Sequence, residues 1–160
     1  MKEFDIDDKI ARATELFGQG YNCAQSVFLA YSDVFGLSEE LAKSLSVSFG
    51  GGMGRMREVC GTVSAMAMLA GLKYPVPDQK DMAARRRNYA MVQRMAGRFT
   101  EKYQTVICRE LLPAAAAAEK NNPAPAERTP EYYRQRPCVR YVADAARIAG
   151  QMLKEELLPE

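Results

Sequence analysis

Apolar residues recur at every third or fourth position along almost the whole chain, which is the spacing of one face of an α-helix. The first of these segments places Ile10, Ala13, Leu16 and Phe17 on one face. No stretch alternates apolar and polar residues for long enough to predict a β-strand. The pattern therefore predicts an all-α protein, a bundle of about five to seven helices without a sheet.

Capping residues, glycines and prolines divide this pattern into separate helices. Ser, Thr, Asp and Asn favour helix N-termini because their side chains accept hydrogen bonds from unpaired backbone N–H groups. The first predicted helix is capped by Asp7 or Asp8 and stops at Gly18. The same rules predict helices at 23–35 after Asn22, from Ser38 to 49, at 57–72, from Asp78 to 103, at 106–112 after Thr105 and at 138–157 after Pro137, with a short turn starting at Thr129.

The helix predicted at 57–72 has the composition of a buried central element, because it is rich in Ala, Met and Leu and almost uncharged beyond its start. By contrast, the segment 113–130 combines an alanine run with asparagines and several prolines, which predicts an irregular surface connection. With 160 residues the chain has the length of one domain. Residues 1–160 are therefore predicted to form a single helical domain.

Composition narrows the candidate chemistry to cysteine. Hydrophobic residues make up 48% and charged residues 26% of the chain, the balance of a soluble globular protein. Lys and Arg total 22 against 20 Asp and Glu, so the net charge of +2 gives no electrostatic argument for binding nucleic acid. The chain has no histidine, which excludes Ser-His-Asp and Cys-His catalysis and histidine zinc ligands. The four cysteines remain as the candidate reagents.

The sequence shows no feature of export or membrane insertion. Its first residues are acidic where a signal peptide needs an apolar stretch, and no run approaches the ~18 apolar residues of a membrane span. These observations predict a cytoplasmic protein. Stable structural disulfides are rare in that compartment, so the cysteines indicate metal or redox chemistry, with burial as small hydrophobic side chains as the alternative.

Each of the four cysteines, Cys23, Cys60, Cys108 and Cys138, lies near the start of a predicted helix. The first turn of a helix presents unpaired N–H groups and the positive end of the helix dipole, which stabilise a thiolate. We therefore expect reactive thiols with lowered pKa values. Consecutive cysteines are 37, 48 and 30 positions apart, so there is no local C-x-x-C pair. Any pairing or shared metal site must be assembled by the tertiary structure.

A glycine-rich loop precedes Cys60. Gly51, Gly52, Gly54 and Arg55 would place backbone N–H groups and a positive charge around a bound anion. The loop follows a helix rather than a strand and lacks the GxxxxGK[ST] sequence, which argues against a nucleotide-binding P-loop. The interpretation that we favour is close backbone packing that brings Cys60 next to another cysteine, because glycine permits such an approach without a ligand.

Several short motifs carry a resemblance to a known family. They are NCAQSV at 22–27, FGGGMG at 49–54, EVCG at 58–61, CRELL at 108–112, and Cys138 before Ala145 and Ala146. Over about residues 8–153 the chain resembles the C_GCAxxG_C_C family of bacterial and archaeal proteins. The resemblance implies an all-helical domain with four characteristic cysteines and redox activity, without a defined substrate. The chain departs from the family pattern at Thr62, Ala65 and Pro113, which concerns local packing more than cysteine chemistry.

The leading hypothesis is thiol–disulfide redox chemistry, which would make the protein a thiol–disulfide oxidoreductase. Cys23 is expected to pair with Cys60, because the glycine loop permits their close approach, and Cys108 with Cys138. This chemistry requires no cofactor. Its partner would be another protein or a small thiol or oxidant.

Two alternatives stay open. Four thiolates without histidine suit a Cys₄ site for zinc or an iron–sulfur cluster, with Cys23, Cys60, Cys108 and Cys138 as the ligands. The second alternative is a non-catalytic helical binding or scaffold module whose glycine loop at 50–54 holds an anion. The many apolar helical faces also predict a homo-oligomer.

Overall fold

Helices form all of the regular structure in the computed structural model of the chain, which describes residues 1–157; the end of the predicted domain, 158–160, lies outside the described residues. The all-α prediction is confirmed. None of the helices in the described part has the combined length and apolarity that crossing a bilayer requires. The α-helices are α1 (Ile6–Gly18), α2 (Cys23–Ala30), α3 (Glu39–Ser46), α4 (Gly61–Lys73), α5 (Met82–Tyr103), α6 (Cys108–Leu111), α7 (Ala114–Ala117), α8 (Pro130–Gln135) and α9 (Cys138–Lys154).

Two N-caps differ from the predicted ones by a few positions. Asp5 caps α1 with a side-chain hydrogen bond of 3.0 Å, so the prediction of Asp7 or Asp8 is wrong. Asp81, not Asp78, caps α5 with a side-chain hydrogen bond of 2.8 Å. In each case several aspartates within one turn satisfy the same preference, and the turn geometry ahead of the helix selects among them.

Two helices begin later than predicted because the backbone segments directly ahead of them form hydrogen bonds with each other. The predicted helix at 57–72 is α4, which starts only at Gly61. Val59, two residues before it, forms an isolated antiparallel bridge with Ile107. The same bridge moves the start of α6 to Cys108, so Thr105 does not cap this helix. Backbone hydrogen bonds to a distant segment therefore override the local helical pattern.

Several predicted helices end earlier than expected. The segments predicted at 23–35 and 38–49 each consist of an α-helix followed by a short 3₁₀ helix, Ser32–Phe35 and Val47–Phe49 respectively. The last helix ends at Lys154 instead of 157. The predicted irregular connection contains the short helix α7, and α8 follows the predicted cap Thr129.

Helix α4 lies at the centre of the bundle, as its uncharged sequence predicts. Its residues Ala65, Met66 and Leu69 are fully buried, and it packs against α2, α5 and α9. The hydroxyl of Tyr31, at the end of α2, donates a 2.7 Å hydrogen bond to the carbonyl of Ala146 in α9. This contact fixes α2 relative to α9, the two longer helices that begin with cysteines.

The segment between α6 and α9 packs over one end of the bundle. The guanidinium of Arg128 lies 4.9 Å from the ring centre of Phe17 and 4.6 Å from that of Tyr132. Arg128 also donates a 3.3 Å hydrogen bond to the carbonyl of Tyr21. The hydroxyl of Tyr133 donates a 3.1 Å hydrogen bond to the carbonyl of Phe17. The predicted surface connection at 113–130 thus packs against the helix ends through Arg128.

Candidate functional site

The N-terminal ends of four helices meet at one small cavity, and each end carries a cysteine. Cys23, Cys108 and Cys138 are the first residues of α2, α6 and α9, and Cys60 is the N-cap of α4. All four line a cavity of about 60 Å³, here called the inner cavity. All four are free thiols. The fold therefore gathers in one place four residues that are far apart in the sequence.

Cys23 is held in position by the capping box of α2. The Asn22 side chain accepts a 2.9 Å hydrogen bond from the N–H of Gln25, and the Gln25 side chain accepts a 3.2 Å hydrogen bond from the N–H of Asn22. The Asn22 amide also donates a 2.9 Å hydrogen bond to the carbonyl of Val47. With both ends of the Asn22 amide bound, the first turn of α2 has one orientation.

Two glycines let the backbone approach the cysteines closely. A Cβ at Gly61, the first residue of α4, would lie 2.6 Å from the Sγ of Cys23. A Cβ at Gly52 would lie 2.7 Å from the Cβ of Cys108, and the backbone of Gly52 has a φ of +71°. Close backbone packing thus accounts for these glycines, and the cysteine against Gly52 is Cys108.

Cys60 and Cys108 are held side by side by the backbone bridge. The N–H of Cys60 donates a 2.8 Å hydrogen bond to the carbonyl of Val106, and the N–H of Cys108 donates a 2.6 Å hydrogen bond to the carbonyl of Glu58. These two N–H groups lie at helix starts, where the sequence pattern predicted that they would stabilise thiolates. They are instead used by backbone carbonyls.

Burial outweighs the helix dipole for three of the four thiols. Only 5% of the surface of Cys60 and 8% of that of Cys108 is exposed. Loss of hydration raises the pKa of both thiols and raises the pKa of Cys138 to about 12. A negative charge on Cys23 raises these three pKa values further. The expectation of a lowered pKa at a helix start is therefore wrong for Cys60, Cys108 and Cys138.

Arg57 is a buried charged residue beside the cysteines. It lines the inner cavity, is only 2% exposed, and forms a hydrogen bond with Cys108 that opposes the effect of burial on the pKa of that thiol. Its Nε and Nη2 have no hydrogen-bond partner among the described residues. Its backbone has a φ of +59°, a conformation that non-glycine residues adopt rarely. A buried arginine with unused donors and a strained backbone indicates a functional position.

A larger cavity of about 400 Å³, here called the outer cavity, adjoins the inner one. Of the residues predicted from the loop to bind an anion, Gly51, Gly54 and Arg55 line the outer cavity, whereas Gly52 packs against Cys108. The two cavities share one wall. The residues that line both are Asn22, Gly51, Arg57, Arg128, Tyr132 and Arg136.

Sequence reasoning did not single out Arg128 and Arg136. They lie in and after the segment that was predicted to be a surface connection, and no known motif contains them. The guanidiniums of Arg128 and Arg136 each lie 4.6 Å from the centre of the Tyr132 ring. Arg128 precedes α8 and Arg136 follows it, so no helical spacing groups the two arginines in the sequence.

No three Cys, Asp or Glu side chains within residues 1–157 are arranged to hold a metal ion together. The Cys₄ alternative, a site for zinc or an iron–sulfur cluster, gains no support from the arrangement of these described side chains.

The raised pKa of Cys138 predicts a loss of stability at alkaline pH. The unfolded chain releases this proton near the ordinary value of 9.0, whereas the folded chain keeps it until about pH 12. The neutral thiol therefore stabilises the folded state fully below pH 9. This contribution falls by about 1.4 kcal/mol per pH unit between the two values.

Urea unfolding near pH 8 and near pH 10 measures this effect. From the lower to the higher pH we expect the wild-type protein to lose about 1 kcal/mol more of its free energy of unfolding than the Cys138→Ala variant. The comparison removes the titration of tyrosines and lysines, which both proteins share. Equal losses in the two proteins would contradict the prediction.

The model of one family, described as "Putative redox-active protein (C_GCAxxG_C_C)", matches residues 21–152. This range contains all four cysteines, the glycine loop and the arginines of the outer cavity. No curated protein and no solved structure matches the chain.

Proposed function

The chain belongs to the C_GCAxxG_C_C family, and from that premise we propose that it performs thiol–disulfide exchange with the four cysteines of the inner cavity. The observation that carries this proposal is the convergence of four free thiols on one cavity. Exchange between two sulfurs requires an attacking thiolate and a second thiol within reach of it.

Cys23 is the proposed attacking thiol. It is half-buried and occupies the first position of the eight-residue helix α2. Burial raises the pKa of each of the other three cysteines, so they stay protonated at neutral pH. The Cys23 thiolate attacks one sulfur of a disulfide RSSR and forms a mixed disulfide, while RS⁻ leaves and takes up a proton.

Cys60 is the proposed resolving thiol. It directly precedes Gly61, whose missing side chain leaves room for the Sγ of Cys23. In the mixed disulfide Cys23 has lost the charge that raises the pKa of Cys60. Cys60 passes its proton to the departing second RS⁻ as its sulfur attacks the Cys23 sulfur, and a Cys23–Cys60 disulfide forms. In total the protein dithiol is oxidised by two electrons and RSSR is reduced to two RSH. Cys108 and Cys138 would form a second pair that exchanges with the first.

Intact-protein mass spectrometry after brief exposure of the reduced protein to 2-hydroxyethyl disulfide tests this assignment. The wild-type protein should lose two hydrogens without keeping an adduct. Cys60→Ser should accumulate one mixed disulfide, located at Cys23 by peptide mapping, because its resolving thiol is missing. Cys23→Ser should show neither change on the same timescale.

Cys138→Ser is the matched control, because it removes one thiol of the same cavity and leaves the proposed reactive pair. It should lose two hydrogens like the wild-type protein. A Cys23→Ser variant that is oxidised as fast as the wild type would overturn the assignment of the attacking thiol. Failure of the folded wild-type protein to react with the disulfide at all would overturn the proposed function.

A further inference from the structure

The arginines of the outer cavity carry more positive charge than the carboxylates that pair with them neutralise. Four arginines line it: Arg55, Arg57, Arg128 and Arg136. Arg55 forms a 2.6 Å ion pair with Glu119. Within residues 1–157 no ion pair joins any of the other three to a carboxylate, and buried donors of Arg55, Arg57 and Arg128 have no hydrogen-bond partner.

Arg57 shows most clearly that a negative group is missing. Arginine stays protonated at any pH that a folded protein tolerates, so its buried charge cannot be removed by loss of a proton. A charge taken out of water is strongly unfavourable unless an opposite charge or hydrogen-bond acceptors replace the water. Arg57 is 2% exposed and leaves Nε and Nη2 unused. A planar guanidinium with two free N–H directions fits an oxyanion.

These arginines lie next to the cavity that contains the thiols. Arg57, Arg128 and Arg136 line both cavities, so an anion held by them lies at the entrance to the four cysteines. The inner cavity of about 60 Å³ has room for only a few non-hydrogen atoms. The outer cavity of about 400 Å³ is large enough for the rest of a small molecule.

We infer that the outer cavity binds the oxyanion group of a small disulfide or thiol substrate whose sulfur enters the inner cavity. This inference rests on the proposed function, because it names the substrate class of the same site. The chain carries a net charge of only +2, so general attraction of anions by the whole protein is weak. A preference for anionic substrates would therefore come from the arginines of the cavity.

Three disulfides of nearly equal length test the inference: 3,3′-dithiodipropionate carries two negative charges, 2-hydroxyethyl disulfide is neutral, and cystamine carries two positive charges. The rate of reaction with the reduced protein is divided by the rate of the same disulfide with 2-mercaptoethanol, which removes differences in intrinsic reactivity. We expect the normalised rate of the anion to exceed that of the neutral disulfide by about ten-fold or more, because charge-assisted hydrogen bonds hold it. Cystamine should be the slowest.

Arginine variants assign the preference to the cavity. Arg128→Gln and Arg136→Gln should each reduce the ratio of anionic to neutral rates several-fold. Arg147→Gln, on the far side of α9 where it pairs with Asp7, should leave the ratio unchanged. Because each ratio is taken within one variant, a general loss of reactivity does not affect it. A ratio near one in the wild-type protein, or an equal loss of the ratio in Arg147→Gln, would overturn the inference.

Calorimetric titration of 3,3′-dithiodipropionate into the Cys23→Ser variant separates this inference from the proposed function. Heat of binding that disappears in the Cys23→Ser/Arg136→Gln double variant supports the anion site even if the wild-type protein performs no exchange. No detectable binding, together with equal normalised rates for all three disulfides, leaves thiol–disulfide exchange standing and overturns the anion site.

Discussion

Replacement of Gly52 by alanine is expected to lower the free energy of unfolding by about 4 kcal/mol. The backbone of Gly52 has a φ of +71°, at which a side chain costs about 1–2 kcal/mol. The added Cβ would also lie 2.7 Å from both the Cβ of Cys108 and the backbone nitrogen of Glu58. Since one of these neighbours is backbone, the loop must move, which costs about 1–3 kcal/mol more.

Gly54→Ala is the matched control for this prediction. Gly54 lies in the same loop with a φ of +56°, and no atom lies within 4 Å of the position of an added Cβ. The free energy of unfolding of Gly54→Ala should therefore fall only by the cost of a side chain at positive φ, about 1–2 kcal/mol. Urea unfolding followed by circular dichroism measures both variants. Equal losses would show that contact with Cys108 does not require a glycine at position 52.

The Gly61→Ala variant is expected to disturb the reactive cysteine as well as the fold. The new Cβ would lie 2.6 Å from the Sγ of Cys23 and 2.7 Å from the carbonyl oxygen of Phe49. The Cys23 side chain can rotate away, but the Phe49 carbonyl belongs to the backbone and forces α4 to shift. We expect a loss of about 2 kcal/mol in the free energy of unfolding. The rate of exchange at Cys23 should fall about ten-fold or more, because its sulfur is displaced from Cys60.

Gly71→Ala, ten residues further along α4, separates this effect from helix propensity. An added Cβ at Gly71 meets no atom within 4 Å, so alanine there should stabilise the helix by about 0.5–1 kcal/mol and leave the exchange rate unchanged. The two measurements are urea unfolding and the rate of adduct formation with 2-hydroxyethyl disulfide. A Gly61→Ala protein as stable and as reactive as Gly71→Ala would refute the close packing of Gly61 on Cys23.

Features that depend on a few consecutive residues were predictable. Asn22, Ser38 and Thr129 cap helices as their residue types indicate, because a cap involves only the N–H groups of the next turn. The uncharged segment containing Met66 is the buried central helix. The predicted helix boundaries are wrong where the backbone forms hydrogen bonds with a distant segment. The Val59–Ile107 bridge is an example, because α4 begins only after it, at Gly61.

The site was only partly predictable for a related reason. The cysteines and the glycine loop stand out in the sequence by residue type and spacing. Arg128 and Arg136 do not, because nothing local distinguishes them from the other arginines of the chain. They belong to the site because the segment between α6 and α9 packs over the ends of the helices and places both guanidiniums on Tyr132.

The sequence by itself determined that the protein is helical and that cysteine is its candidate reagent. Hydrophobic periodicity and residue composition are local properties, and they do not change when distant segments meet. The tertiary structure alone decided which thiols are buried, that Arg57 has unused donors, and that one wall serves both cavities. Hydration and charge proximity depend on the whole surroundings of a group, so the expected lowering of the Cys60 pKa became a rise.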